Sequence, residues 1–209
     1  MPARIIIVGN GSIDPSLAAF IDTHDLVIRF NGCRSFDQAP SRTDVVAVCN
    51  TGRPACEMLG APGWSRHPAI RAATEIWSVR PPRFFAAERA RIVREHPQLA
   101  DLCDDFTDGF IAFCERTAKR HRVISEAIHR RTARALLPHA PAPYVTPSSG
   151  LIVIEHALAH WPEARIAVAG FDHTGWWGHP FDAEARLVEH YVRQGLLQRG
   201  LPARHMQEL

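Results

Sequence analysis

Short apolar runs recur along the chain, with helix-patterned stretches between them. Residues 5–8, 26–30, 45–48 and 166–169 are runs of Ile, Val, Leu, Phe and Ala with almost no polar alternation. Strands covered on both faces read this way. Residues 76–79 and 144–145 give weaker versions of the same signal. Between the first two runs, residues 16–23 place Leu17, Phe20 and Ile21 on one helical face, with Asp14 or Ser16 as candidate caps. A long helix is expected over about 110–137, where Phe113, Ile124, Ala127, Ile128 and Ala135 form a broken stripe that Pro138 and Pro141 end. The next helix starts at Ser148 or Ser149 and reaches His160 before Pro162, and the last runs over about 182–197.

Strands alternating with helices predict an α/β fold: a single Rossmann-like domain over residues 1–209, with a mainly parallel sheet and helices on both faces. Residues 52–110 are broken by Pro54, Pro62, Pro68, Pro81, Pro82 and Pro97. They read as a less regular insert or lid, the natural place for acceptor recognition.

A chain of 209 residues supports one substantial core. No run approaches the roughly 20 apolar residues that span a bilayer. The N-terminus enters its first strand without an apolar leader, so a cytoplasmic location is expected. Cys33, Cys49, Cys56, Cys103 and Cys114 are odd in number and lack a CxxC spacing. Reduced thiols are expected, with neither a disulfide framework nor a structural zinc. Lys119 is the only lysine, and the net charge of +2 gives no case for nucleic acid as a partner.

Two turns carry the candidate chemistry. Gly9-Asn10-Gly11-Ser12 follows the first strand, and Pro147-Ser148-Ser149-Gly150 opens a helix. Small residues with backbone N–H groups, hydroxyls and an amide suit an anion at a helix entrance. Asp14 stands where a dinucleotide fingerprint needs its third glycine, which argues against an NAD site.

Gly9-Asn10, Ile21-Asp22, His24-Asp25, Val27, Arg29 and Asn31 together resemble the long N-terminal motif of the sialyltransferase family. Residues 147–151 with Val168-Ala169-Gly170-Phe171 resemble its second motif, and His179 with Glu184 its HxxxxE motif. The resemblance covers residues 4–34 and 144–191. It implies a GT-A-like variant of the Rossmann fold and an inverting glycosyltransferase. The donor would be a CMP-activated acidic sugar, sialic acid or Kdo, and the acceptor a glycan or glycolipid hydroxyl. No cofactor or metal is implied. Gly9, Asn10, Gly11, Ser12 and Asn31 would contact the nucleotide; Ser148, Ser149 and Gly150 would hold its phosphate or the sugar carboxylate. His179 would be the general base, titrating near neutrality. Glu184 would support that end of the site. The family's HYY motif is missing, and His173 is the catalytic candidate that would take over its phosphate contact or act as an acid toward the donor. That gap motivates an alternative, a catalytically inactive member acting as a nucleotide-binding or accessory protein.

Three further features have readings of their own. His156 and His160 stand four apart on one expected helix, a spacing compatible with a metal hydrolase. Arg116, Lys119, Arg120, Arg122, Arg130, Arg131 and Arg134 form a basic face for an anionic membrane surface or glycolipid, or simply a solvated one. Arg29, inside an apolar strand, is expected to anchor a buried carboxylate.

Overall fold

A computed structural model describes residues 1–200. Strands β1 (Arg4–Val8), β2 (Leu26–Phe30), β3 (Val45–Val48), β4 (Glu75–Ser78), β5 (Arg120–Val123), β6 (Arg165–Ala169) and β7 (Gln198–Arg199) form one sheet. Their order is β5-β4-β3-β2-β1-β6-β7, and every neighbouring pair is parallel. The molecule is a single α/β domain of Rossmann-like type, as the sequence pattern predicts. Among the described residues no helix is long and apolar enough to cross a membrane.

Alternate side chains of the central strands enter different cores. Ile5, Ile7, Ile28, Phe30, Val45 and Ala47 face one side of the sheet. There they meet helices α7 (Glu126–Leu136), α8 (Ser149–His160) and α9 (Phe181–Arg193) through Ile128, Leu151, Ile154 and Leu187. Ile6, Val8 and Val27 face the other side, against Leu17 and Ile21 of helix α1 (Leu17–Asp22). Further along that side, Val46, Val48 and Ile76 pack on helices α2 (Gly52–Gly60), α3 (Pro62–Arg66) and α6 (Thr107–Arg116). The central isoleucines are fully buried, and each such side chain contributes about 1.5–3 kcal/mol. Glu155 fastens the first layer: its buried carboxylate accepts from Arg131 Nε of α7 at 2.7 Å and from the Tyr191 hydroxyl of α9.

Residues 52–110 are not an irregular insert. They hold α2, α3, helix α4 (Pro68–Ala72), β4, helix α5 (Pro82–Glu95) and the start of α6. Pro62, Pro68 and Pro82 sit in the first turns of α3, α4 and α5, where a missing N–H costs nothing. Prolines taken for breaks are starts.

The single helix expected over 110–137 is two helices with β5 between them. Ala118, with φ +53°, turns the chain after α6. Arg-His-Arg-Val then forms an exposed sheet edge, where Arg120 pairs with Glu75 and no apolar run is needed. The expected basic face is therefore divided among α6, β5 and α7. Residues 144–145 form no strand, because the N–H groups of Val145 and Thr146 bond to the Gly178 carbonyl. The last helix ends at Arg193, and the two-residue β7 that follows has no apolar run to announce it. Among the described residues Arg29 bonds no carboxylate; its guanidinium bonds Ser35, the Ala39 carbonyl and Ser41.

Candidate functional site: a cleft at the crossover of the sheet

The chain runs outward from β1 to β5, then returns to place β6 on the other side of β1. Ligands of open parallel sheets bind at such a switch point, beyond the carboxyl ends of the strands. Here Gly9 follows β1 and Gly170 follows β6, and the two turns touch. The Gly9 N–H donates to the Ala169 carbonyl at 2.8 Å, and the Gly11 N–H to the Gly170 carbonyl at 2.9 Å. A Cβ on Gly9 would lie 2.2 Å from the Gly170 oxygen. The glycines are therefore required by backbone crossing, and their N–H groups do not face an anion as the sequence suggests.

A 610 Å³ cavity opens beside this crossing. All three candidate catalytic residues and seven of the eight candidate binding residues border it. Ser12 does not; it borders a separate hollow with Arg199.

Asn10 accepts the Arg34 N–H on Oδ1 at 3.0 Å, which leaves its amide NH₂ for a ligand. Asn31 stands in a left-handed conformation, φ +50°, at the end of β2. Its Oδ1 accepts from the Cys49 N–H at 2.8 Å, and its carbonyl accepts from Trp64 Nε1 at 2.9 Å. Again the side-chain NH₂ is what remains.

Ser148 caps α8, accepting from the Leu151 N–H on Oγ at 3.2 Å. Its hydroxyl donates to Glu184 Oε2 at 2.6 Å, and its N–H donates to Glu184 Oε1 at 2.7 Å. Ser148 is therefore held by Glu184 and has no hydroxyl proton to offer a ligand. The groups left at the helix entrance are the Ser149 hydroxyl and the N–H groups of Ser149 and Gly150, at the positive end of a 12-residue helix. Gly150 is small for contact reasons, since a Cβ there would meet Phe171 Cε1 at 2.6 Å. Glu184 itself is buried. Burial raises its carboxyl above the ordinary value, while the two bonds from Ser148 pull it back.

His179 Nδ1 lies 2.8 Å from the Thr146 carbonyl. A carbonyl only accepts, so Nδ1 carries the proton and Nε2 presents a lone pair. Trp176 and Phe181 flank the ring edge-on at 4.8 and 5.3 Å. Burial lowers the imidazole to about 4; the Thr146 carbonyl opposes that shift and the Arg80 charge adds to it. The expectation of a histidine titrating near neutrality is thus corrected: the ring is a neutral hydrogen-bond acceptor at pH 7. His173, at φ +51°, has a buried Nε2 with no partner among the described residues. Burial lowers it too, helped by Arg199 and opposed by Asp172.

A second cavity of 340 Å³ adjoins the first and shares Asn31, Pro54, Ser149, Trp176 and His179 with it. It adds Arg80, which sequence reasoning missed. Its only sequence signal is an arginine directly after an apolar run, at the carboxyl end of a strand.

His156 and His160 lie at the far end of α8. His156 is buried against Trp77, and both its ring nitrogens lack partners among the described residues. Among the described residues no three His, Cys, Asp or Glu side chains come together as a metal set.

No family model matches the chain. The urease operon 23 kDa accessory protein of Rhizobium meliloti (strain 1021) is 51% identical to it over 197 residues, 93% of this chain and 91% of that protein. The chain belongs to the family of that urease operon accessory protein. Among solved structures, a mammalian sialyltransferase in complex with Gal-beta-1-3GalNAc-ortho-nitrophenol superposes with a TM-score of 0.53. That likeness covers 94% of this chain and 69% of the other at 14% identity, and it shows a shared fold.

Membership of the urease accessory family corrects the reading taken from the motifs. Assignment to the sialyltransferases falls with it, and so do the CMP-activated donor, the glycan or glycolipid acceptor, the membrane-surface contact and the inactive-member alternative. The geometry gives a physical reason why the motifs mislead. Gly9 and Gly170 are small because two turns cross, Ser148 caps a helix, and Glu184 fastens that cap. Residues with these duties belong to the fold before they belong to any reaction.

Proposed function

We propose that the protein is an accessory factor for a urease, and that it works with urease proteins during their maturation in the cytoplasm. The observation that carries this reading is the 51% identity, nearly end to end, with the urease operon accessory protein. Five free cysteines, four of them buried, accord with a reducing compartment.

The cleft at the crossover is the working site in this proposal. Asn10 and Asn31 offer amide donors, and Ser149 and Gly150 offer the entrance of α8. His179 accepts a hydrogen bond at Nε2, and Glu184 acts by positioning Ser148. A site so rich in donors suits a small polar, diffusible ligand, and we assign it no resident cofactor.

Deleting the gene in a urease-positive host tests the role. Urease activity per unit of urease protein is expected to fall, and a plasmid copy is expected to restore it. Unchanged specific activity in the deletion strain, across conditions that induce urease, would sink the reading.

A further inference from the structure

Among the described residues, Arg80 is the one buried guanidinium that borders the cavity adjoining the cleft. It has 4% of its surface exposed and follows β4 at the sheet's carboxyl edge. Its backbone is fixed on both sides by Asn50, which donates to the Arg80 carbonyl and accepts from the Arg80 N–H, each at 2.8 Å. The side chain makes one hydrogen bond, from Nη1 to Thr51 Oγ1 at 2.7 Å, and lies over the Phe85 ring at 5.0 Å. Among the described residues it makes no ion pair. A buried charge is ordinarily paired, because the desolvation cost of leaving it alone is large.

The charges around it sharpen the point. Arg53 borders the same cavity but is matched by Asp101 at 2.8 and 3.2 Å. His179 is neutral at pH 7, since burial holds it near 4. Among the described residues, the 340 Å³ cavity therefore carries one uncompensated positive charge, and the Ser149 hydroxyl and the entrance of α8 line the same cavity. A planar guanidinium matches two oxygens of a phosphate or carboxylate side by side.

We infer that Arg80 and Ser149 form an oxyanion subsite, and that the ligand of the cleft bears a phosphate or carboxylate group seated between them. The inference rests on reading the cleft as a ligand site and is independent of the link to urease. Loss of the urease phenotype with anion binding intact, or the converse, separates the two.

The test is a titration of the full-length protein with inorganic phosphate and with acetate, followed by the Arg80 Nε–H and Ser149 N–H resonances. Chloride at matched ionic strength sets the baseline. At least one probe is expected to shift both resonances saturably in the millimolar range. Phosphate alone doing so assigns a phosphate ester; acetate alone assigns a carboxylate. Arg80→Gln should weaken binding by about tenfold to a hundredfold, the effect of losing a charge-assisted contact. Ser149→Ala, which leaves the Thr51 and Asn50 contacts untouched, should weaken it by about fivefold and serves if the arginine variant fails to fold. Shifts no larger than those with chloride, or affinity unchanged in a folded Arg80→Gln protein, would overturn the inference.

Discussion

Glu184 grips Ser148 with both carboxylate oxygens, one on the N–H at 2.7 Å and one on the hydroxyl at 2.6 Å. The two residues lie 36 positions apart, so α9 fixes the entrance of α8 from outside the helix. The same serine accepts from the Leu151 N–H, which closes a short chain of bonds from Glu184 into the first turn. The cleft depends on that chain, because Ser149 and Gly150 take their direction from Ser148.

Removing Glu184 should therefore loosen the site and the fold together. Glu184→Ala leaves a buried N–H and hydroxyl without acceptors and is expected to cost about 2–3 kcal/mol. Urea denaturation at pH 7 measures this, and a loss under half a kcal/mol would be inconsistent with the grip. The pH trend has a definite sign. Burial raises the folded carboxyl above 4.5. Its favourable term is complete below the unfolded value and is lost as pH rises through the folded one. Relative to wild type, Glu184→Gln should gain stability as pH rises from below 4.5.

The crossing of two turns makes a second prediction. Gly9→Ala puts a methyl 2.2 Å from a backbone oxygen that neighbouring strands hold in place. It should destabilise by about 3 kcal/mol or prevent folding. Gly60→Ala, at the end of α2 with nothing near its Cβ, is the control and should be neutral or slightly stabilising. Equal melting temperatures for the two variants would contradict the crossing.

Acid should unfold the protein through its buried histidines. His129 and His156 are both lowered to about 4, chiefly by burial. A group lowered from 6.5 gives its full stability above 6.5 and loses it as pH falls through about 4. That gap is worth about 3 kcal/mol for each fully buried ring. Among the described residues His156 has both ring nitrogens unpartnered, against Trp77 and Trp161. His156→Phe should hold stability at pH 7 and flatten the decline between pH 6.5 and 4, read by thermal melts across that range.

How far the sequence reveals this molecule depends on what each element buries. β1, β2, β3 and β6 are covered on both faces, so they appear as apolar runs and are legible. β5 and β7 lie at the sheet edges, are mostly exposed, and carry no such run. The cleft was legible in outline because turns after strands must sit at the carboxyl edge of a parallel sheet. The duties within it were not. Whether Ser148 caps, binds or pairs with Glu184 depends on α9, 36 residues away. Arg80 was invisible for the same reason, since its having no acidic partner among the described residues is a fact of three-dimensional packing.

The ligand-facing groups make the last prediction, because they can be removed without touching the crossing or the cap. Asn10 keeps its Arg34 contact through Oδ1, so Asn10→Asp preserves that bond while replacing the cleft-facing NH₂ with an oxygen. The change turns a donor into a negative acceptor facing the helix entrance. His179→Phe retains a ring between Trp176 and Phe181 but deletes the Nε2 lone pair. Each loss of one ligand hydrogen bond should weaken binding by about tenfold. Expressed at limiting level in the deletion strain, both variants should restore less urease activity per unit of urease protein than wild type. Arg94→Ala, on the exposed side of α5, should restore it fully. Melting temperatures within a few degrees of wild type would locate the defect in the cleft, whereas full restoration by both variants would remove the cleft from the urease role.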